Sequence, residues 1–315
     1  SLSPEYGDLL TEAGYPFSVK QDKEHKLDAR ALMAILRDTY EGTPYDLARQ
    51  PASGPWGATD RYDAGNGALI KQDYKNNGYA IIRSVIESDL VEEVQKHVEW
   101  LQNKYPKIRP EAFHHDLLVN DPFIHKLLNN QNMLDIVEMI IGPNIALFGA
   151  HYIAKRPKDG KPVVWHQDGS YWPLEPMNVV SVWLAGTASF KKNGCMRVIP
   201  GTHNKKLLKP SQMIKLDTED YVLDLAISSD DIDDSEAVDI ELNPGDISIH
   251  NPSIIHGSNS NYSNRWRIGL TLRFIPTSTY VNRQNWSCIL LRGNPAKGVA
   301  ACHIACLLFS LTLCS

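Results

Sequence analysis

The segment Arg267–Phe274 constrains the fold of this 315-residue chain most strongly, because polar or small side chains alternate with large apolar ones along it. In an extended strand, such alternation places the two sets on opposite faces. Ile268 and Leu270 begin the apolar face, whereas Arg267 and the small Gly269 begin the other. A barrel packed solid would have only apolar residues inside. The pattern therefore predicts a strand whose apolar face packs under other elements, while Arg267 faces a lumen that holds a ligand.

The order of the predicted elements points to the same architecture. A short strand over 78–83 precedes a helix capped by Ser88, and Pro122 begins a second helix that ends at Gly142. Short strands then follow at Ala146–Ala154, Val163–Gln167, Val179–Leu184, Met196–Ile199, Ile240–Leu242, Asp246–His250 and Arg267–Phe274. Helices followed by many short strands predict a mainly β fold with a helical layer. The expected form is the double-stranded β-helix, or jelly roll, of cupin-like proteins.

The tetrapeptide at 165–168, Trp-His-Gln-Asp, carries the strongest chemical signal. His166 and Asp168 are two residues apart, so an extended strand points both side chains to one face. His256, from a distant strand, can supply a third ligand. Two histidines and one carboxylate form the facial triad that holds non-heme Fe(II) and leaves positions open. Arg267 lies eleven residues after His256, and its guanidinium can hold the far carboxylate of a dicarboxylate in a bidentate pair.

Other histidines compete for these roles. His250 lies six residues before His256 and is the alternative third ligand. We prefer His256, because a Gly-Ser pair follows it directly and Arg267 comes eleven residues later. His114 and His115 are adjacent and would face opposite sides of a strand, so we interpret them as entrance-loop residues.

With the stretch at 193–203, Asn-Gly-Cys-Met-Arg-Val-Ile-Pro-Gly-Thr-His, these motifs resemble the phytanoyl-CoA dioxygenase family of Fe(II)/2-oxoglutarate oxygenases. The resemblance covers about residues 74–298. The iron ligands that it implies are His166, Asp168 and His256. It also implies that Arg267 anchors 2-oxoglutarate, with Ser258 as a hydroxyl partner and Trp183 as a wall of that site.

The reaction implied by the resemblance uses Fe(II), 2-oxoglutarate and O₂. It hydroxylates an unactivated C–H bond of a small organic substrate and releases succinate and CO₂. A halogenase-like variant is one alternative, but it would replace the carboxylate ligand by a small residue, and Asp168 argues against it. A non-catalytic, metal-binding jelly roll is the other, although it would not need all four polar groups. Tyr171 and Trp172 are candidate walls of the substrate pocket.

The chain is expected to comprise three segments. Residues 1–65 are a dipeptidase-like fragment or an extension, because residues 15–65 resemble an internal stretch of the secernin-like (C69) dipeptidases. Those enzymes use an N-terminal cysteine nucleophile, and this chain has no cysteine before Cys195. Residues 66–298 are the dioxygenase domain. Residues 299–315 contain no Asp, Glu, Lys or Arg and form an atypical apolar tail.

Composition restricts the partners and the location. The net charge is −5 and there is no basic run, which argues against a nucleic-acid partner and leaves a small-molecule substrate. The five cysteines are odd in number and lack a framework spacing, so a disulfide scaffold is not expected and the cytoplasm is the predicted location. Membrane contact is not expected either. The alternative is that the apolar tail anchors the chain in a membrane.

Overall fold

The computed structural model describes residues 67–284, 286–296 and, as backbone, 303–304. The interpretation of residues 1–65, and most of that of the tail at 299–315, lies outside these residues. The helices are α1 (Gly67–Asn77), α2 (Ser88–Lys104), α3 (His115–Leu118), α4 (Pro122–Leu128) and α5 (Gln131–Ile141). Apart from β1, the strands all follow α5 along the chain, as the sequence predicted.

The first strands are β1 (Tyr79–Ile82), β2 (Ile145–Tyr152), β3 (Val163–His166), β4 (Leu174–Glu175), β5 (Val180–Ala185), β6 (Met196–Val198), β7 (Ile214–Lys215) and β8 (Leu225–Ala226). They continue with β9 (Val238–Ile240), β10 (Ile247–His250), β11 (His256–Ser258), β12 (Gly269–Pro276), β13 (Tyr280–Val281), β14 (Ser287–Arg292) and β15 (His303–Ile304).

Two sheets contain most of these strands. The larger has the order β1-β10-β5-β12-β2-β14-β15, and the smaller has the order β3-β11-β6-β9. Neighbours pair antiparallel except β14 and β15, which are parallel. Strands that are adjacent in a sheet are mostly distant in the chain, which is typical of a jelly roll. The predicted double-stranded β-helix is confirmed.

The larger sheet carries the helical layer. Helix α5 contacts β2, β5 and β12, and α1 packs on β1. On β12, Leu270, Leu272 and Phe274 are completely buried, as predicted for the apolar face of this strand. Arg267 precedes β12 and forms an isolated antiparallel bridge with Lys155, so the polar face continues beyond the end of the strand.

Two helix boundaries differ from the prediction. Ser88 is the first residue of α2 rather than its cap, and Glu87 at the capping position makes no side-chain capping bond. Pro122 does begin a helix, with the Asp121 carboxylate accepting from the backbone. This helix stops at residue 128, because the Asn130 side chain accepts from the backbone NH of residue 133 and caps α5 as a separate helix.

One strand and one cysteine also differ from expectation. The strand predicted at Ile240–Leu242 is displaced to Val238–Ile240, where it pairs with β6. Cys195 is a buried free thiol, whereas Cys288 is disulfide-bonded. In the described part of the chain, none of the helices is both long and apolar enough to cross a bilayer.

Candidate metal centre and cosubstrate site

Strand pairing in the smaller sheet brings the two predicted ligand histidines together. β3 and β11 are antiparallel, and His166 lies directly opposite His256. Residues that are directly opposite share one face of a sheet, and the two imidazole centroids are 4.1 Å apart. β3 ends at His166, but Gln167 remains extended before a 3-10 turn begins at Asp168. Asp168 therefore points to the same side as His166, although it lies outside the strand.

The hydrogen bonds of the histidines determine which ring nitrogen is free. His166 Nδ1 is 2.8 Å from the carbonyl oxygen of residue 164, and His256 Nδ1 is 3.1 Å from that of residue 254. A carbonyl oxygen can only accept, so in the neutral rings both hydrogens are on Nδ1 and both Nε2 atoms carry lone pairs. Those Nε2 atoms lie 3.4 Å and 4.0 Å from Oδ1 of Asp168.

The ionisation states of the cluster suit a metal ion. Burial lowers the pKa of His256 well below its usual value, and neighbouring His166 lowers it further. Burial alone would raise the pKa of Asp168, but Arg273 and the surrounding histidines hold it well below its usual range. One carboxylate and neutral imidazoles are the forms that bind metals. Their three ligand atoms lie within 4.8 Å of one another, so a cation between them would offset the repulsion of converging lone pairs.

The second oxygen of Asp168 faces away from this cluster. Its Oδ2 is 3.5 Å from Ser181 Oγ, 3.5 Å from Arg273 Nε and 3.7 Å from His250 Nε2. Oδ1 is thus the oxygen available to a metal, while Oδ2 is held from behind. His250 lies on the Oδ2 side and does not belong to the three-residue cluster, which favours His256 over His250 as the third ligand.

Arg267 is a buried cation with unused donors. Its side chain is 1% exposed, and Nη1 donates to the carbonyl oxygen of Ile153 at 2.7 Å. Its guanidinium carbon lies 5.3 Å from the centroid of the Trp183 ring. Among the described residues, Nε has no hydrogen-bond partner. Burial lowers the pKa of Arg267 to about 10, so the group remains charged near neutral pH.

Lys155 is a second buried basic side chain beside Arg267, and the sequence analysis missed it. The residue is 0% exposed, and Nζ donates to Ser258 Oγ at 2.7 Å and to the Asn259 carbonyl at 2.5 Å. Burial and the charge of Arg267 lower the pKa of Lys155 well below its usual value. Because Ser258 Oγ accepts from Lys155, its own hydrogen is free for another acceptor. Sequence reasoning had no means of distinguishing this buried lysine from a surface one.

Gly269 makes room for this arrangement. A methyl group on its Cα would lie 2.6 Å from Cε2 of Trp183, which is closer than atoms in proteins approach. The absence of a side chain therefore lets the Trp183 ring lie on β12 beneath the Arg267 guanidinium. The role of Trp183 as a wall of the cosubstrate site stays a prediction.

The remaining candidates occupy defined positions. His115 is buried, with Nε2 2.8 Å from the Ser287 carbonyl and Nδ1 accepting from a backbone NH on β2. Its interpretation as an entrance-loop residue is wrong, since it is a hydrogen-bonded core residue. His114 is exposed, and its ring lies 4.0 Å from that of His151. Tyr171 presents its ring edge to His166, with centroids 6.1 Å apart.

Comparison with known proteins identifies the family of this chain. The sequence model described as phytanoyl-CoA dioxygenase (PhyH) matches residues 74–269, which is more than half of the chain. The chain belongs to the phytanoyl-CoA dioxygenase family. The mouse protein named "Phytanoyl-CoA dioxygenase, peroxisomal" is 27% identical over 251 residues, covering 72% of this chain and 71% of the mouse protein. Members of this family are non-heme iron, 2-oxoglutarate-dependent dioxygenases, and this enzyme class and its cofactors apply to the chain.

Solved structures share the fold. The apo form of the non-heme monooxygenase ThoJ has a TM-score of 0.61 and 20% identity, covering 71% of this chain and 84% of ThoJ. The epimerase SnoN, solved with Fe³⁺, alpha-ketoglutarate and nogalamycin RO, has a TM-score of 0.57 and 17% identity. That similarity covers 71% of this chain and 88% of SnoN. At these identities the likeness concerns the jelly roll alone.

Proposed function

We propose that this family member hydroxylates an unactivated C–H bond of a small organic molecule, with His166, Asp168 and His256 as its Fe(II) ligands. The observation that carries the proposal is the convergence of one ligand atom from each of these residues within 4.8 Å. The carbonyl contacts at both Nδ1 atoms leave Nε2 of each neutral imidazole as the nitrogen available to a metal. Bound Fe(II) and 2-oxoglutarate would supply oxidative decarboxylation and O₂ activation.

The chain's own residues have distinct tasks in this proposal. Val164 and Ile254 hold the imidazoles through their carbonyl oxygens, which keeps both Nε2 atoms directed at the metal position. Arg267 would pair with the distal carboxylate of 2-oxoglutarate, because its buried charge has no anionic partner among the described residues. Ser258, oriented by Lys155, would donate its free hydrogen to the same carboxylate.

Metal binding tests the ligand assignment. Asp168→Ala removes the only carboxylate of the cluster, so we expect Ni(II), which supports no turnover, to be retained by wild type and lost by the variant in equilibrium dialysis. Asp239→Ala is the matched control, since Asp239 lies on β9 and its carboxylate pairs with Arg197. Equal loss of Ni(II) from both variants, or retention by Asp168→Ala, would contradict the assignment.

Turnover tests the reaction class. Fe(II)-loaded protein incubated with 2-oxoglutarate and fractions of a cell metabolite extract should release succinate in proportion to one extract compound. That compound should gain one oxygen atom, which mass spectrometry detects. A gain of halogen in chloride-containing buffer would indicate the halogenase alternative instead. Tight Ni(II) binding without 2-oxoglutarate binding would favour the non-catalytic, metal-binding alternative.

A further inference from the structure

Arg273 is a second lumen-facing arginine, and its ion-pair partner among the described residues is Asp168. It lies six residues after Arg267 on the same face of β12, opposite Gly149 on β2 and Ser181 on β5. Its Nε is 3.5 Å from Oδ2 of Asp168. Because Asp168 is a proposed iron ligand, Arg273 is separated from the proposed metal position by this one carboxylate.

The guanidinium of Arg273 is only partly satisfied. Within the described residues none of its nitrogens has a hydrogen-bond partner, and Nε is a buried donor without one. The side chain is 14% exposed, so the group is accessible yet largely removed from bulk water. The charged and titratable groups that face it are Asp168 from the turn after β3, His114 and His115 near α3, His151 from β2 and His250 from β10. Only Asp168 among them is anionic.

Geometry leaves one edge of the guanidinium for a ligand. An arginine presents its donors as a planar fork. The approach to Asp168 is from Nε at 3.5 Å, and the two terminal nitrogens make no hydrogen bond within the described residues, so they remain for a bidentate acceptor. The guanidinium carbon lies over the ring of Trp172, 5.2 Å from its centroid, which is within cation–π distance. Opposite Arg273, Gly149 has no side chain to fill the space, and an added Cβ would be 3.7 Å from Arg273 Cδ.

An aromatic wall adjoins this fork. Phe148 contacts Trp172 with ring centroids 5.7 Å apart and Trp286 with centroids 5.4 Å apart. Trp172 and Trp286 are partly buried, so part of each ring surface is accessible. A ligand that satisfies both features has an anionic head for Arg273 and an apolar body for the aromatic rings.

We propose that Arg273 binds the carboxylate of the substrate, so that the substrates of this enzyme are organic acids with an apolar or aromatic body. This inference rests on the proposed function, because it places the substrate beside the proposed iron site. The substrate carboxylate pairs with the terminal nitrogens of the Arg273 guanidinium, and this bidentate contact orients the acid relative to the metal. A neutral amide of the same shape lacks the charge and cannot accept through two oxygens.

Matched acids and amides test this inference by binding alone. The probes are phenylacetate with phenylacetamide and hexanoate with hexanamide, titrated calorimetrically into full-length protein loaded with Ni(II) and saturating 2-oxoglutarate. The saturating 2-oxoglutarate occupies the proposed cosubstrate site at Arg267, so the probe acids cannot bind there. We expect at least one acid to bind wild type about tenfold or more tightly than its amide, and Arg273→Gln to abolish that preference. Arg273→Lys should restore part of it, because the charge remains but the fork is lost.

Arg283→Gln is the matched control. Arg283 also stacks on the aromatic wall, with its guanidinium carbon 4.2 Å from the Trp286 centroid, but it is an exposed residue. We expect this variant to keep the preference for the acid. The inference fails if neither acid binds better than its amide, or if Arg273→Gln retains the preference. It also fails if Arg273→Gln and Arg273→Lys both release Ni(II) or 2-oxoglutarate, since Arg273 would then serve only Asp168 or the cosubstrate. Wild type that binds neither Ni(II) nor 2-oxoglutarate would instead refute the proposed function.

Discussion

Arg267→Met should separate cosubstrate binding from both folding and metal binding. Truncating one partner of a buried, hydrogen-bonded charge pair costs about 2–5 kcal/mol, and about 1.4 kcal/mol corresponds to a tenfold change. The dissociation constant of 2-oxoglutarate should therefore rise by about 30-fold to several thousand-fold. Arg267 contacts the main chain at Ile153 and the ring of Trp183 but none of the three proposed ligands, so Ni(II) affinity should change little.

The same substitution should leave the ligand-free protein about as stable as wild type. Loss of the bond to Ile153 costs roughly 1.5–3 kcal/mol, because the donor is charged. Removal of a buried Nε without a hydrogen-bond partner, and of a cation next to buried Lys155, offsets that loss. Methionine fills much of the vacated volume.

Thermal and chemical unfolding with and without 2-oxoglutarate measures both effects at once. At a ligand concentration of about 100 times the wild-type dissociation constant, Ni(II)-loaded wild type should gain about 2.7 kcal/mol. The variant should gain less than about 0.9 kcal/mol, which follows from the smallest expected loss of affinity. Arg197→Met is the control, because Arg197 stacks on Trp165 and pairs with Asp239, away from Arg267. A full gain in Arg267→Met would refute the anchoring role, and parallel loss of Ni(II) would show that Arg267 is structural.

Further substitutions and a deletion test other parts of the site. Gly269→Ala should destabilise the protein by about 1–3 kcal/mol in urea unfolding and weaken 2-oxoglutarate binding, because the added methyl group overlaps the Trp183 ring. Gly149→Ala is the control and should be nearly neutral, because its methyl group would lie 3.7 Å from the nearest atom. Folding lowers the pKa of Lys155. At pH values between the folded and the unfolded pKa, Lys155 is protonated in the unfolded chain and neutral in the folded one, so the free energy of unfolding of wild type should rise with pH. Lys155→Met should remove up to about 1.4 kcal/mol per pH unit of that slope at pH values below the usual lysine pKa, and an unchanged slope would show that Lys155 is charged in the folded state. Deletion of residues 1–65 should leave 2-oxoglutarate decarboxylation intact, and a soluble but inactive product would show that this segment completes the pocket.

Local patterns in the sequence predicted the features that depend on neighbouring residues. The spacing of His166 and Asp168, and the alternation after Arg267, identify faces that the folded strands retain. The register that sets His166 opposite His256 depends on pairing between distant segments, which no local pattern specifies. Lys155 illustrates the same limit, because its contacts with Ser258 and Arg267 join it to segments more than 100 residues away in the chain.

Helix boundaries were harder to predict than helix content. Asn130 can act as a cap or as an ordinary helical residue, and its hydrogen bond to the backbone NH of Met133 is what divides the predicted helix. The disulfide at Cys288 could not be anticipated, because a count of cysteines contains no information on which of them approach each other. The segment boundaries at residues 65 and 298 and the cytoplasmic location stay predictions.

His166 and His256 lie directly opposite each other on neighbouring strands, so a metal bound to both would stabilise the fold as well as take part in the reaction. An ion held by both side chains would join β3 to β11 across about 90 residues of chain, and because it binds only the folded site it would stabilise the fold by mass action, by about 2.7 kcal/mol at a free concentration 100 times its dissociation constant. Depletion of the metal would therefore also loosen the smaller sheet. Proteases should then cut the long connections between β3 and β11 sooner than the rest of the barrel, so that iron supply would set the lifetime of the enzyme as well as its activity.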